Sequence, residues 1–289
     1  MKLISGLKEI SNNYSHFIFD VWGVLHDGNS AYPNVVDALQ FLRDEGKEIC
    51  MLSNAPRRAN KVAEMLNKFG VTSEFYDFIL TSGEATFLDL KKNQDENYKN
   101  FGKNYFYVGP DKDLDLLDGL DYVRVESAAK ADFLVNTGFE NEDSTVKEKL
   151  PYIIEAKKHN LPMICVNPDL IVVRQNGQEM ICAGALAHEY EKMSGEVFYY
   201  GKPFLAVYKM TLETFGNPQK NKIIAIGDGL ETDIKGANSF GIDSILVTGG
   251  ILAKQLNIEF WQNADEKKLA EICDKYHASP QFVISNLKI

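Results

Sequence analysis

Phe17-Ile18-Phe19-Asp20-Val21-Trp22-Gly23-Val24-Leu25 constrains this chain more than any other stretch. Three apolar residues run straight into an aspartate, and a glycine follows where the chain must turn. A continuous apolar run that ends at a turn residue reads as a strand of a parallel sheet, buried on both faces. Open α/β sheets bind their ligands outside the carboxyl ends of the strands, so Asp20 stands where such folds place their chemistry. An Asp in that place can also do no more than cap the next turn, and the rest of the chain decides between the two.

The run opens a repeating cadence. Pro33 to Glu45 carries Val35, Val36, Leu39, Phe41 and Leu42 at helical spacing and closes at Gly46. A strand over 48–52 ends in Ser53-Asn54, a helix over 56–69 stops at Gly70, and an apolar run over 75–80 ends in Thr81-Ser82-Gly83. Strand, helix, glycine, strand is the signature of right-handed βαβ units. After a helix over 84–92 the composition changes. Residues 93–103 are polar and read as an exposed connection, followed by short strands near 105–108, 122–125, 133–136 and 163–166 and a helix over 145–159. The first cadence then resumes, with a strand over 198–200, a helix to Phe215, a strand over 223–226 running into Gly227-Asp228-Gly229, a strand over 244–247 and a helix over 266–277. The predicted fold class is therefore α/β. Its core is a doubly wound, Rossmann-like parallel sheet made by 1–85 and 198–289, with a smaller α/β cap, 86–197, inserted into it.

Composition narrows the function classes. Lys and Arg number 31 against 41 Asp and Glu, a formal net charge of −10. That balance argues against broad contact with nucleic acid or an anionic membrane, both of which reward clustered positive charge. It also suits a phosphorylated substrate poorly unless a cation is recruited locally. The four cysteines, Cys50, Cys165, Cys182 and Cys273, share no CxxC spacing and read as reduced core thiols. His16, His159, His188 and His277 show no ligand spacing to one another. Met1 to Ser15 lacks the apolar core of a signal peptide and no run approaches a membrane span, so a cytoplasmic protein is expected. A homo-oligomer stays open.

Four strand ends carry polar clusters that a parallel sheet would bring to one edge: Asp20, Ser53-Asn54, Lys202, and Asp228 with Asp233. Asp20 and Asp228 suit a hard cation such as Mg2+, which takes a few carboxylates together with water and phosphate oxygens. Ser53 suits phosphate oxygens and Lys202 supplies a point positive charge. Asp20 then becomes a nucleophile toward phosphorus.

In order and spacing these clusters resemble the four motifs of the haloacid dehalogenase superfamily: Asp20, Ser53, Lys202, and Gly227-Asp228 followed by Asp233. The insertion between the second and third motifs is placed as in the class IIA branch of sugar, nucleotide and 4-nitrophenyl phosphatases. Asn167-Pro168-Asp169, Gly184-Ala185-Leu186 and Tyr200-Gly201-Lys202-Pro203 are similar to that branch. The resemblance covers essentially the whole chain. It implies Asp20, Ser53 and Lys202 as catalytic residues, and a Mg2+ ion held by Asp20, Asp228 and the Trp22 carbonyl. Asp233 would orient Lys202 or the ion's water. Ser53, Asn54, Asn167 and Asp169 would bind a small phosphorylated substrate, under a cap that closes over the site and selects it near Asn167–Asp169 and Leu170–Arg174.

One position departs from the pattern. Phosphatases of the family usually carry a second Asp two residues after the nucleophile, which protonates the departing oxygen; here that residue is Trp22. Losing a general acid typically costs a factor of about 10²–10⁴ in rate. Three readings follow: a Mg2+-dependent phosphatase that is slow or confined to good leaving groups, a phosphate-binding regulatory protein, or a 2-haloacid dehalogenase. Dehalogenases also lack the second Asp, but need no metal, whereas Asp228 and Asp233 are both present. His26 and Asp27, on the flap after the first strand, are candidates to replace the missing acid.

Overall fold

The computed structural model describes residues 1–92, 101–141, 143–173, 179–259 and 262–289. Arg174 and most of the expected connection over 93–103 lie outside the described residues. The chain divides into two compact units, Met1–Ser53 with Asn60–Leu80 and Lys202–Ile289, and Asn54–Ala59 with Thr81–Gly201. The changes of unit thus fall at 80/81 and 201/202, not at the expected 85/86 and 197/198, and the loop 54–59 joins the second unit. The cause is local. The Pro56 and Arg57 carbonyls press against Gly83, where a Cβ would not fit. Glu84 accepts both Arg58 Nε at 2.7 Å and Arg58 Nη2 at 3.1 Å, and the Ala59 amide at 3.0 Å.

Along the chain, the first unit opens with β1 (Lys2–Leu3), β2 (His16–Phe19), α1 (Val35–Asp44), β3 (Glu48–Ser53), α2 (Ala59–Lys68) and β4 (Phe78–Thr81). The second unit holds α3 (Ser82–Lys92), β5 (Asn104–Val108), β6 (Val123–Val125), β7 (Phe133–Asn136), α4 (Val146–Lys158), β8 (Met163–Cys165), β9 (Ile171–Val173), β10 (Glu179–Ile181), α5 (Ala183–Lys192) and β11 (Val197–Tyr199). The first unit closes with α6 (Leu205–Thr214), β12 (Ile223–Gly227), α7 (Lys235–Phe240), β13 (Asp243–Val247), α8 (Ala253–Leu256), α9 (Glu266–Tyr276) and β14 (Phe282–Ile284). Strands β1, β9, β10 and β14 are additions to the sequence reading, too short to show a period of their own.

Seven strands form the sheet of the first unit, in the order β1-β14-β13-β12-β2-β3-β4. The chain winds outward from β2 to β4 on one side and from β12 to β14 on the other, so the topological switch lies between β2 and β12. Both strands are buried along their whole length, which is why each reads as an unbroken apolar run. Phe17 and Phe19, two residues apart, share one face and stack with ring centroids 6.3 Å apart. Parallel pairing sets Phe19 opposite Ile226, and the Asp20 amide donates to the Ile226 carbonyl at 2.8 Å. Asp20 and Asp228 therefore leave the sheet at the same edge, each one residue past its strand.

The second unit has a five-stranded parallel sheet, β11-β8-β7-β5-β6, and the antiparallel hairpin β9-β10. Its core includes Leu134, Ile153, Met163, Cys165, Leu186 and Tyr190. Tyr190 is fully buried, and its hydroxyl donates to the Leu161 carbonyl at 2.6 Å. Among the described residues no helix is long and apolar enough to cross a membrane.

Two outcomes follow for stability. Tyr190→Phe leaves the Leu161 carbonyl without that donor, so urea denaturation should show a loss of about 1–3 kcal/mol; an unchanged midpoint would mean water replaces the hydroxyl. Burial raises the Glu84 carboxyl, but the hydrogen bonds from Arg58 and Ala59 and the Arg58 charge outweigh it and hold the group below its ordinary 4.5. Its folded value being the lower one, its contribution is whole above 4.5 and is lost as pH falls through the folded value. Glu84→Gln should therefore narrow the gap between urea midpoints at pH 7 and pH 3.

Candidate active site

Asp20 sits just beyond β2 and is almost wholly buried, its side chain 11% exposed. Lys202, 3% exposed, reaches it from the start of the closing half of the first unit and donates to Asp20 Oδ1. The same ammonium lies 2.8 Å from Asp233 Oδ1. Asp233 Oδ2 accepts the Gly229 amide at 3.1 Å, so this carboxylate is bound on both oxygens, once by Lys202 and once by the turn after β12. Asp228 completes the group. Its Oδ2 accepts the Ile251 amide at 2.7 Å, and Gly23 and Gly250 crowd it so closely that a Cβ on either would strike the carboxylate. Gly23 also has φ +82°, a conformation that only glycine adopts without strain.

Oxygens of Asp20, Asp228 and Asp233 lie within 4.8 Å of one another. Three carboxylates against one ammonium leave two negative charges in a buried pocket of the sheet edge, which is unfavourable unless the protons or a cation balance them. The titration behaviour agrees. Burial pushes the Asp20 carboxyl well above its ordinary range, Lys202 opposes this, and Asp233 and Asp228 add to it. Burial works against the Lys202 ammonium, but Asp20 and Asp233 prevail and hold it charged, above its usual range. A divalent cation with a preference for oxygen fits this donor set in both charge and hardness. Asp20 and Asp228 would hold it, while Asp233 is engaged with Lys202.

Of the other residues singled out from the sequence, Ser53 is buried at the end of β3, the strand paired with β2 on this edge. Asn54 is the first residue of the second unit, and its side-chain amide donates to Asp169 Oδ1 at 2.8 Å. Asn167 Oδ1 accepts the Asp169 amide at 3.0 Å, and the Cys165 thiol donates to the Asn167 carbonyl at 3.3 Å. Asn54, Asn167 and Asp169 are thus one hydrogen-bonded group within the second unit, and the Asn54 amide is directed at Asp169.

His26 and Asp27 are built into the loop after β2. His26 is 1% exposed, its Nδ1 accepts the Gly28 amide at 2.9 Å, and its carbonyl accepts the Gly23 amide at 2.9 Å. Burial, against the pull of Asp27, lowers the imidazole to about 4, so it is neutral at pH 7. Asp27 Oδ1 accepts the amides of Asn29 and Ser30 at 2.8 and 2.9 Å, an Asx turn. These contacts give the two side chains a place in the turn. Two site features escaped the sequence reading: the Gly250-Ile251 backbone that seats Asp228, and Tyr208, whose buried hydroxyl donates to the Asp233 carbonyl at 3.2 Å. The double glycine after β13 was the available signal for the first.

Comparison with known proteins identifies the family. A model described as haloacid dehalogenase-like hydrolase matches residues 17–123, and a HAD-hydrolase-like model matches residues 199–288. The crystal structure of a haloacid dehalogenase-like hydrolase from Brucella suis 1330 superposes with a TM-score of 0.83 at 30% identity, covering 99% of this chain and 100% of that one. Phosphoglycolate phosphatase 2 of Arabidopsis thaliana is 26% identical over 271 residues, 86% of this chain and 88% of that protein. Ribonucleotide monophosphatase NagD of Escherichia coli K12 is 27% identical over 241 residues, 81% of this chain and 87% of its own length. The chain is a member of the haloacid dehalogenase-like hydrolase family, in its class IIA branch.

Proposed function

We propose that this hydrolase cleaves a small phosphate ester through a phosphoryl-aspartate on Asp20, and that it depends on a divalent cation, Mg2+ by the hardness of the donors. The observation that carries the reading is the buried set of Asp20, Asp228 and Asp233 around the Lys202 ammonium. The phosphatase relatives, which include a phosphoglycolate and a ribonucleotide phosphatase, point the same way.

Lys202 binds Asp20 Oδ1, which orients the carboxylate and leaves Oδ2 as the attacking oxygen. Attack on phosphorus forms the acyl phosphate, and the bond to the leaving oxygen breaks with its electron pair on that oxygen. Water then attacks phosphorus, the bond to Asp20 breaks with its electron pair on the carboxylate, and of the water's two protons one stays on the released phosphate and the other passes to solvent. A bound cation supplies charge neutralisation for the phosphoryl oxygens and for the surplus of carboxylates. Ser53 hydrogen-bonds the phosphoryl oxygens, and Asp233 keeps Lys202 aimed at Asp20. With Trp22 in place of the usual acid, the leaving oxygen departs unprotonated, which favours aryl and acyl phosphates over alkyl phosphates.

Phosphate release from 4-nitrophenyl, acetyl and alkyl phosphates, with Mg2+ or with chelator, tests this. Wild type should turn over the first two with Mg2+ only, Asp20→Asn should lose at least about 10³-fold, and Trp22→Asp should gain alkyl activity. Tight binding of phosphate analogues with no release in any form would make the protein a binding protein. Release of halide from 2-haloacids in chelator would make it a dehalogenase.

A further inference from the structure

Tyr208 lies on α6, six residues after Lys202, and is fully buried. Its hydroxyl donates to the main-chain carbonyl of Asp233 at 3.2 Å. Lys202 meets the same residue at its side chain, 2.8 Å from Asp233 Oδ1. One short segment, 202–208, therefore holds Asp233 twice, once by the carboxylate and once by the backbone.

The turn that carries Asp233 shows why a second hold matters. Four residues separate Asp233 from Asp228, and the chain crosses them in a π turn, Leu230–Ile234, which is wider than an α-helical one. At its start the Gly229 carbonyl accepts both the Asp233 amide at 3.0 Å and the Ile234 amide at 3.1 Å. Gly229 also donates its amide to Asp233 Oδ2, so these contacts lie within the turn itself. The Asp233 carbonyl falls at the other end, where the π turn passes into α7, and there Tyr208 fixes it from a separate element. The phenol has a shaped seat. A Cβ on Gly236 would stand 2.4 Å from the hydroxyl oxygen, and Phe240 stacks on the ring with centroids 5.5 Å apart at 26°. Burial and the Asp233 charge, against the pull of Lys202, push the hydroxyl well above its ordinary range, so it remains a donor at neutral pH.

We propose that Tyr208 is a positioning residue for the hydrolysis: through the Asp233 carbonyl it sets the π turn so that Asp233 keeps Lys202 on Asp20. This rests on the phosphatase reading above and goes beyond it. Lys202 orients the attacking carboxylate, so a displaced Asp233 is felt in the alignment of the transition state and not in substrate affinity.

Tyr208→Phe keeps the ring and its stack on Phe240 and removes only the donor. Tyr14→Phe is the matched control. It removes another buried hydroxyl of the first unit, bound to Asp243 Oδ2 at 2.5 Å, where Tyr14 precedes β2 and Asp243 opens β13, at the sheet edge opposite Asp20. Wild type and both variants are compared in kcat and KM for 4-nitrophenyl phosphate with Mg2+, and in crystal structures. Tyr208→Phe should lower kcat about 10-fold with KM within about 2-fold of wild type, while Tyr14→Phe should leave both within about 2-fold. In the Tyr208→Phe crystals the separation of Lys202 Nζ from Asp233 Oδ1 should lengthen from 2.8 Å to beyond about 3.5 Å. An unchanged kcat in Tyr208→Phe, an equal loss in Tyr14→Phe, or an unchanged Lys202–Asp233 separation would overturn the positioning role, while wild-type turnover would still uphold the phosphatase reading. A wild type that releases no phosphate would overturn both.

Discussion

The buried contact between Lys202 and Asp20 is the constraint on which the rest of the site depends. An ammonium and a carboxylate taken out of water together recover their desolvation cost only with good geometry and further hydrogen bonds. Here the lysine has two carboxylates and the cluster has three, so the pair is not neutral as it stands. The excess is fixed by backbone: the Gly229 amide holds Asp233, the Ile251 amide holds Asp228, and Gly23 and Gly250 give the Asp228 carboxylate room. A site built this way is preorganised for positive charge, and for a phosphoryl group only once that charge is present.

The fold explains why these residues meet. Asp20 follows β2, Asp228 follows β12, and the two strands are neighbours at the point where the sheet changes its direction of winding. Chain segments that are more than 200 residues apart in sequence are thereby brought within hydrogen-bond reach at one edge. Lys202 is the first residue of the chain after the second unit, and its ammonium lies on Asp20 and Asp233 of the first. The second unit carries its own parallel sheet and its own core, with Tyr190 tied to the Leu161 carbonyl at the centre.

Much of this was legible in the sequence because it depends on strong local signals. Unbroken apolar runs ending in Asp20 and in Gly227-Asp228 announced buried strands, and their order was enough to bring Lys202 and Asp233 into the same group. Unit boundaries were less visible, since they turn on contacts such as Gly83 against the Pro56 carbonyl and Glu84 on Arg58, which join residues about 26 apart. Short strands such as β1 and β14 gain their stability from pairing with one another and not from any pattern of their own. The Asn54 amide bond to Asp169, 115 residues away, had no local signal in the sequence. The environment of Trp22 could not be read at all, because it depends on the missing Cβ of Gly28 and on the His26 ring.

The central claim is that the carboxylates of Asp20 and Asp228 share a cation. Diffraction from crystals grown with Mn2+, recorded at the manganese absorption edge, tests it most directly. The expected result is one strong anomalous peak at about 2.0–2.2 Å from an oxygen of each carboxylate and from the Trp22 carbonyl, lost in Asp228→Asn. An empty position between Asp20 and Asp228 at saturating Mn2+, or a peak that Asp228→Asn leaves unchanged, would contradict it.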